Sequence, residues 1–267
     1  MLIERNIPEP VRRWPSGGAS VRAGGRFLVA GVVLPLAAAG AAVVWWWSPG
    51  EDLDPWQAGP PPARWAAWQR QEDRWRQEGS RRPIENSYVP LPRISVELQL
   101  ATLVGEDIDF FGHGSVDLDA IVEAVEAHKP GTRLRGASTI TQQLAKNLFL
   151  SPERSLWRKV REARLAWWME RRLGKRRILE LYLNAVEFGP GLFGAEVASR
   201  HYFDVAASEL SPEQAAGLAA AIPSPGRDNP TTESRRWQFR RSMILRRMTH
   251  AAWLRTFLER LQHPPSR

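Results

Sequence analysis

Cysteine is absent from the 267 residues, so neither a disulfide framework nor a thiolate metal site is available, and any part of the chain outside the cytoplasm must hold together by packing alone. No internal repeat breaks the globular part, and no run of alternating apolar and polar residues marks a strand. No His or Asp cluster marks a metal site, and no nucleic-acid-binding module is recognisable. What is present is 43% hydrophobic and 25% charged, with a formal net charge of +8. A chain of this length supports one core of roughly 170–200 residues and a modest appendage. The positive balance favours an anionic partner, whether nucleic acid, a membrane surface or a phosphorylated substrate. Thirteen tryptophans exceed what such a core needs, and several lie near the one long apolar run, which points to a membrane interface.

That run, Phe27 to Trp47, spans 21 residues without a charge, close to the ~20 that a helix needs to cross the hydrocarbon core. One transmembrane helix is the reading. Arg12, Arg13, Arg22 and Arg26 precede it while Glu51, Asp52 and Asp54 follow it, so the tail 1–26 is expected in the cytoplasm and the rest outside. A cleaved signal peptide is the alternative, although its apolar region normally runs only about 7–15 residues. From 48 to 92 the composition turns to proline, tryptophan and alternating charge, the pattern of a juxtamembrane linker. Within it Trp65, Trp68 and Trp75 fall near one face at helical spacing. The helix they define either lies on the membrane surface or docks on the domain that follows.

Residues 93–261 form the expected catalytic domain, with helical periodicity over 94–107, 117–127, 138–148, 155–173, 175–184, 194–200, 211–221 and 233–261. Three stretches in it carry chemistry. Glu106-Asp107 with His113 seven residues on suits acid/base work on a sugar hydroxyl, or is only a solvated helix end. Arg135-Gly136-Ala137-Ser138-Thr139 hands a turn over to a capped helix, whose free amides make an anion site. Thr139, Gln143 and Lys146 share one face of that helix, placed for a polar substrate and its phosphate or simply forming an exposed stripe. Between Glu153 and Arg177 stand ten Lys or Arg against three Glu, so an anionic partner should dock there. Glu162 in this stretch also reads as the i+4 salt-bridge partner of Arg158.

Together these stretches resemble the motifs of the peptidoglycan glycosyltransferases, specifically the monofunctional branch. The family pattern E-D-x-x-F-x-x-H-x-G-x-D is matched by Glu106, Asp107, Phe110, His113 and Asp117, with Ser115 where the family has glycine. The pattern G-G-S-T-I-T-Q-Q-L-x-K-N is matched from Gly136 to Asn147, with Ala137 replacing the second glycine. R-K-x-x-E is matched by Arg158, Lys159 and Glu162, and I-L-E-x-Y-L-N by Ile178 to Asn184. Glu187 to Gly191, Tyr202-Phe203 and Pro223 to Pro225 extend the likeness, which covers residues 95–250. Ending at Arg267, the chain is expected to carry no second catalytic domain.

The resemblance implies a mostly α fold: a lysozyme-like helical lobe, a smaller membrane-proximal lobe, and a cleft containing Glu106. It implies transfer of a growing glycan from its undecaprenyl pyrophosphate to the 4-hydroxyl of the N-acetylglucosamine of lipid II, with inversion. Glu106 is then the general base and Glu162 the second catalytic acid, orienting cations or helping the leaving group depart. Substrate contacts fall to Asp107, Phe110, His113, Ser138, Thr139, Gln143, Lys146, Asn147, Arg158 and Lys159. Among these, Lys146, Arg158 and Lys159 face the pyrophosphate. A divalent cation, Mg²⁺, is implied as cofactor, coordinated mostly by the substrate's phosphates. The implied partners are lipid II, the growing glycan and the bacterial inner membrane, with the catalytic domain on its periplasmic side. Cell-wall or division proteins are further partners of unread identity. Nucleic acid is not expected, because the topology puts the basic helix outside the cytoplasm. Two rival readings are a lytic glycosidase of similar fold, which would not need the cations, and a degenerate membrane-tethered scaffold.

Overall fold

The computed structural model describes residues 34–48, 50–62, 64–80, 82–115, 138–151, 153 and 155–262. The tail 1–26, the first part of the apolar run (27–33), the expected helix at 117–127, Asp117 and the start of the second motif at 135–137 lie outside these residues. The chain divides into two units, 1–48 and 49–267. The described part of the first is one helix, α1 (Leu34–Trp47), of 14 residues, about 21 Å at 1.5 Å per residue. Among the described residues no helix is long and apolar enough to cross a membrane.

The second unit begins before the expected catalytic domain. Residues 50–92 are not a free linker, because their tryptophans are core: Trp56, Trp65 and Trp75 are all buried. Each indole removes a large apolar area from water, more than enough to hold a proline-rich segment in place. Helix α2 (Ala66–Gln77) therefore docks on the domain. Trp68 stacks on Phe193 with ring centroids 6.1 Å apart, and Trp65 meets the same ring edge-on at 5.8 Å.

Helix α3 (Val96–Glu106) is the centre of the domain. Ser95 caps it by accepting the Leu98 amide at 3.1 Å, and Leu98, Leu100, Ala101, Leu103 and Val104 are buried. A helix apolar on nearly every side must be covered on every side. The covering comes from α7 (Pro212–Ala221), α8 (Arg235–His250) and α9 (Ala252–Gln262). The alanine-rich α7 permits close approach. Periodicity alone reads α8 and α9 as a single helix over 233–261; the chain instead turns at Ala251, with no Gly or Pro to signal it, so that Leu254 and Leu258 reach the core. On the other side α4 (Ile140–Phe149) lies against α5 (Leu156–Ala185). Gly174, at φ 72° and ψ 158°, interrupts α5 where the periodicity also divides it. Helix α6 (Ala195–Phe203) packs beside its end.

A small sheet, absent from the sequence reading, closes the domain. Strand β1 (Glu85–Asn86) runs parallel to β3 (Leu192–Phe193), which pairs antiparallel with β2 (Glu187–Gly189). Strands of two or three residues are too short for any alternation to register. Asn184 at the end of α5 staples the preceding segment. Its amide donates to the Val89 carbonyl at 2.9 Å and its side-chain oxygen accepts the Val89 amide at 2.9 Å. The turn between β2 and β3 depends on Gly191, at φ +77°, where an added Cβ would lie 2.1 Å from the Trp75 ring. Gly191→Ala is expected to destabilise the domain by roughly 2–4 kcal/mol, from the left-handed backbone and the overpacking together. Thermal unfolding checks this, and an unchanged midpoint would refute the packing described.

Candidate active site

Glu106 is the last residue of α3, where the helix dipole does nothing to favour a negative charge. Its counter-charges come from elsewhere. One carboxylate oxygen accepts the Gln143 amide at 3.0 Å, and the other accepts the Arg240 guanidinium, which also donates to the Gly105 carbonyl at 3.1 Å. Gln143 is itself held by the buried Tyr182 hydroxyl, which donates to its side-chain oxygen at 2.8 Å. Burial pushes the Glu106 pKa up, and Arg240, Gln143 and Lys146 restrain the rise without cancelling it. The Tyr182 hydroxyl, buried beside Glu106, is pushed well above the ordinary phenol value. The result is a carboxyl fixed in orientation and made more basic, the two properties a general base needs.

Asp107 ends the helix differently. One oxygen accepts from His113 Nε2 at 2.6 Å and the other accepts the Ile140 amide at 2.9 Å, at the N-terminus of α4. His113 Nδ1 lies 2.6 Å from the Gly114 carbonyl. Both neighbours of the ring offer acceptor oxygens, an arrangement that favours the doubly protonated ring. Burial opposes that charge, but the hydrogen bonds to Asp107 and Gly114 outweigh it and the His113 pKa is raised. Phe110 is fully buried, with the Lys175 ammonium 4.5 Å from its ring centroid. It supports this loop from beneath and has no surface for a substrate. The Thr139 hydroxyl caps α4, accepting from the Gln142 amide at 3.2 Å and donating to the Ser115 carbonyl at 3.0 Å. The Thr139 hydroxyl is thus engaged by backbone groups on both sides. Ser115, where the resembled family has glycine, has no positive φ, so serine fits that backbone without strain.

The second half of the site is cationic. Glu162, almost fully buried, accepts from Arg158 at 2.6 Å and from Lys159 at 2.5 Å. Lys159 donates further to Ser138 at 3.1 Å and Gln142 at 3.0 Å, which joins α5 to the start of α4. The Lys146 ammonium, one turn beyond Gln143 on α4, makes no hydrogen bond or ion pair among the described residues. It remains open to solvent, yet enough protein surrounds it that lost hydration lowers its pKa; Glu162 opposes this, while Arg158, Arg70 and Lys159 add to it. Being open, it is available to a ligand. Asn147 follows on the same helix, half-buried, without a side-chain hydrogen bond among the described residues. A cavity of about 740 Å³ lined by Tyr202, Glu213, Glu233 and Trp237 contains none of these residues.

The structure thus brings Glu106, Gln143, Lys146, Ser138, Lys159, Arg158 and Glu162 along two faces of α4. Sequence reasoning missed Arg240 and gave Tyr182 no role. Arg240 lies 134 residues from Glu106 in an arginine-rich helix where nothing local distinguishes it from its neighbours. Because Arg240 restrains the rise in the Glu106 pKa, Arg240→Gln should raise it further. A base acts only when ionised, so the acid limb of the kcat/KM profile should move to higher pH. An unmoved limb would detach Arg240 from the base.

A buried carboxylate beside a cluster of cations is chemically suited to proton transfer and to anion binding. The comparisons then give the family. The model of the family described as Transglycosylase matches residues 74–249. A biosynthetic peptidoglycan transglycosylase from Methylobacillus flagellatus is 46% identical over 169 residues, 63% of this chain and 74% of that protein. One from Nitrosospira multiformis is 42% identical over 193 residues, 72% of this chain and 84% of that protein. The chain belongs to the transglycosylase family.

Proposed function

We propose that this chain is a glycan-strand polymerase of peptidoglycan synthesis, using lipid II and a lipid-pyrophosphate-linked glycan. The observation that carries the reading is Glu106, held by Gln143 and Arg240 on one side of α4, with Lys146 on the same helix and Arg158 and Lys159 across from it. The acceptor 4-hydroxyl gives its proton to the Glu106 carboxylate as its oxygen bonds to C1 of the donor sugar on the face opposite the leaving group. The C1–oxygen bond to the pyrophosphate breaks with both electrons, which inverts the anomeric centre. The charge so released meets Lys146, Arg158 and Lys159, preorganised cations that need no rearrangement at that moment. Glu162 holds Arg158 and Lys159 in place.

A lytic glycosidase would share the carboxylate but has no use for the cations, since its leaving group is a sugar. A degenerate scaffold would not need the Tyr182–Gln143–Glu106 chain of hydrogen bonds. For the implied divalent cation, the described residues offer no group of three or more acidic or His side chains, and Asp107 and Glu162 are already engaged by donors. The described residues form no cage for it, and in the proposal such an ion travels with the substrate's phosphates. Anchoring by the 27–47 run in the bacterial inner membrane, with a lysozyme-like lobe and a membrane-proximal lobe outside, belongs to the same proposal. Its support is the uncharged run itself and the arginines before it.

The test is incubation of detergent-purified protein with labelled lipid II, resolving products on a gel. Polymer that a muramidase digests is the expected result. Absence of polymer from folded protein would overturn the reading in favour of the scaffold.

A further inference from the structure

Helix α2, outside every motif read from the sequence, carries Arg70 toward the cationic half of the site. Its guanidinium donates to the Leu150 carbonyl at 2.7 Å. Leu150 caps α4, and its own amide bonds the Lys146 carbonyl at 3.3 Å, so Arg70 sits one turn beyond Lys146. It is half-buried and forms no ion pair with any described carboxylate. Glu187 attracts it from a distance while Arg74 repels it, and Glu187 is itself occupied in accepting the Gly191 amide at 2.9 Å. Arg70 and Lys146 also feel each other, since Arg70 helps to lower the Lys146 pKa.

The charges around this end of α4 do not balance. Among the described residues, Arg158 and Lys159 share the single carboxylate of Glu162, while Lys146 and Arg70 pair with none. Arg158 also keeps a buried Nε–H without a partner among the described residues. Among the described residues these four cations have only Glu162 in contact and Glu187 at a distance, which leaves room for an anion carrying more than one charge. Capping the last carbonyls of a helix is an ordinary task for arginine. That task uses one nitrogen of the guanidinium and leaves the others to bind phosphate oxygens in the forked geometry that suits them.

We propose that Arg70 of the tryptophan-docked helix α2 is a pyrophosphate-binding residue, completing with Lys146, Arg158 and Lys159 a site that the 74–249 family match does not contain in full. This rests on the polymerase reading for its substrate, and the tryptophans that bury α2 acquire a purpose, since they hold a binding residue rigid. The N-terminal segment is then part of the active site.

The experiment uses full-length protein in detergent and inorganic pyrophosphate as the probe. Binding is measured by calorimetry, with inhibition of lipid II polymerisation in parallel, for wild type, Arg70→Ala, Arg70→Lys and the exposed control Arg76→Ala. Arg70→Ala should weaken pyrophosphate binding about tenfold and raise KM more than it lowers kcat, as expected for loss of one charge-assisted contact. Arg70→Lys should recover part of the binding, and Arg76→Ala should leave it unchanged. A purely structural Arg70 would lower the thermal midpoint and leave pyrophosphate affinity as it was; that result, or an equal effect from Arg76→Ala, would overturn the inference. If Arg70→Ala does not fold, the lysine variant decides by the same affinity. Wild-type protein that binds pyrophosphate through Arg70 but makes no polymer would sink the polymerase reading and keep the anion site. Polymer made at unchanged KM by Arg70→Ala would do the reverse.

Discussion

Glu106→Gln is expected to lower turnover of lipid II by about 10²- to 10⁴-fold, the range over which a positioned general base acts. The substitution is nearly isosteric, so little else should change. What does change is local. Gln143 and Arg240 both donate to the carboxylate, and an amide offers only one oxygen, so its NH₂ must face one of two donors. Turning Gln143 round to receive it would reverse the Tyr182 hydrogen bond, so that the phenol oxygen accepts and its O–H loses the acceptor it has now. A loss of about 1–3 kcal/mol follows from one unsatisfied buried group, partly offset because a neutral side chain is easier to bury at this position. Circular dichroism should show the helices intact while the lipid II assay shows no polymer. Near-normal turnover would remove Glu106 from the role of base, and with it the reading that its raised pKa serves proton transfer.

Much of this site was legible because α4 concentrates it. Gln143 and Lys146 lie on one helix within one contiguous motif, and Arg158, Lys159 and Glu162 fall within one turn and a half of another, so helical spacing alone places each set on a shared face. Two members were not legible for opposite reasons. Arg240 reaches Glu106 across the domain from α8, and only the covering of α3 by that helix decides which arginine arrives. Arg70 stood in a segment whose composition suggests a linker; its place depends on Trp65, Trp68 and Trp75 finding Phe193 and Gly191, contacts more than a hundred residues away. Thr139 differs again, since its hydroxyl is engaged by backbone groups, which helical spacing alone does not reveal. Apart from the break at Ala251, the described helices followed periodicity and capping residues, whereas the sheet depends on Asn86 donating to the Asn184 carbonyl 98 residues on, at 2.8 Å, which no local pattern announces.

Glu162→Gln is expected to affect stability and binding in opposite directions. As an i+4 partner on an exposed helix, Glu162 would matter by a few tenths of a kcal/mol. It is instead almost fully buried and neutralises two cations. Removing one partner of a buried pair typically costs about 3–5 kcal/mol; because Lys159 is 44% exposed and its share is screened, about 2–3 kcal/mol is the better expectation. For a domain of this size that lowers the thermal midpoint by about 5–10 °C. The same change leaves Arg158 and Lys159 with no carboxylate between them, so inorganic pyrophosphate should bind more tightly than to wild type, and saturating pyrophosphate should recover most of the lost midpoint. Turnover should fall nonetheless, since a site that grips the leaving group too strongly releases it slowly. Arg158→Ala removes a cation instead and should weaken pyrophosphate binding. If calorimetry finds the same pyrophosphate affinity in Glu162→Gln as in wild type, the cations around Glu162 do not hold the leaving group, and their pairing with it is structural only.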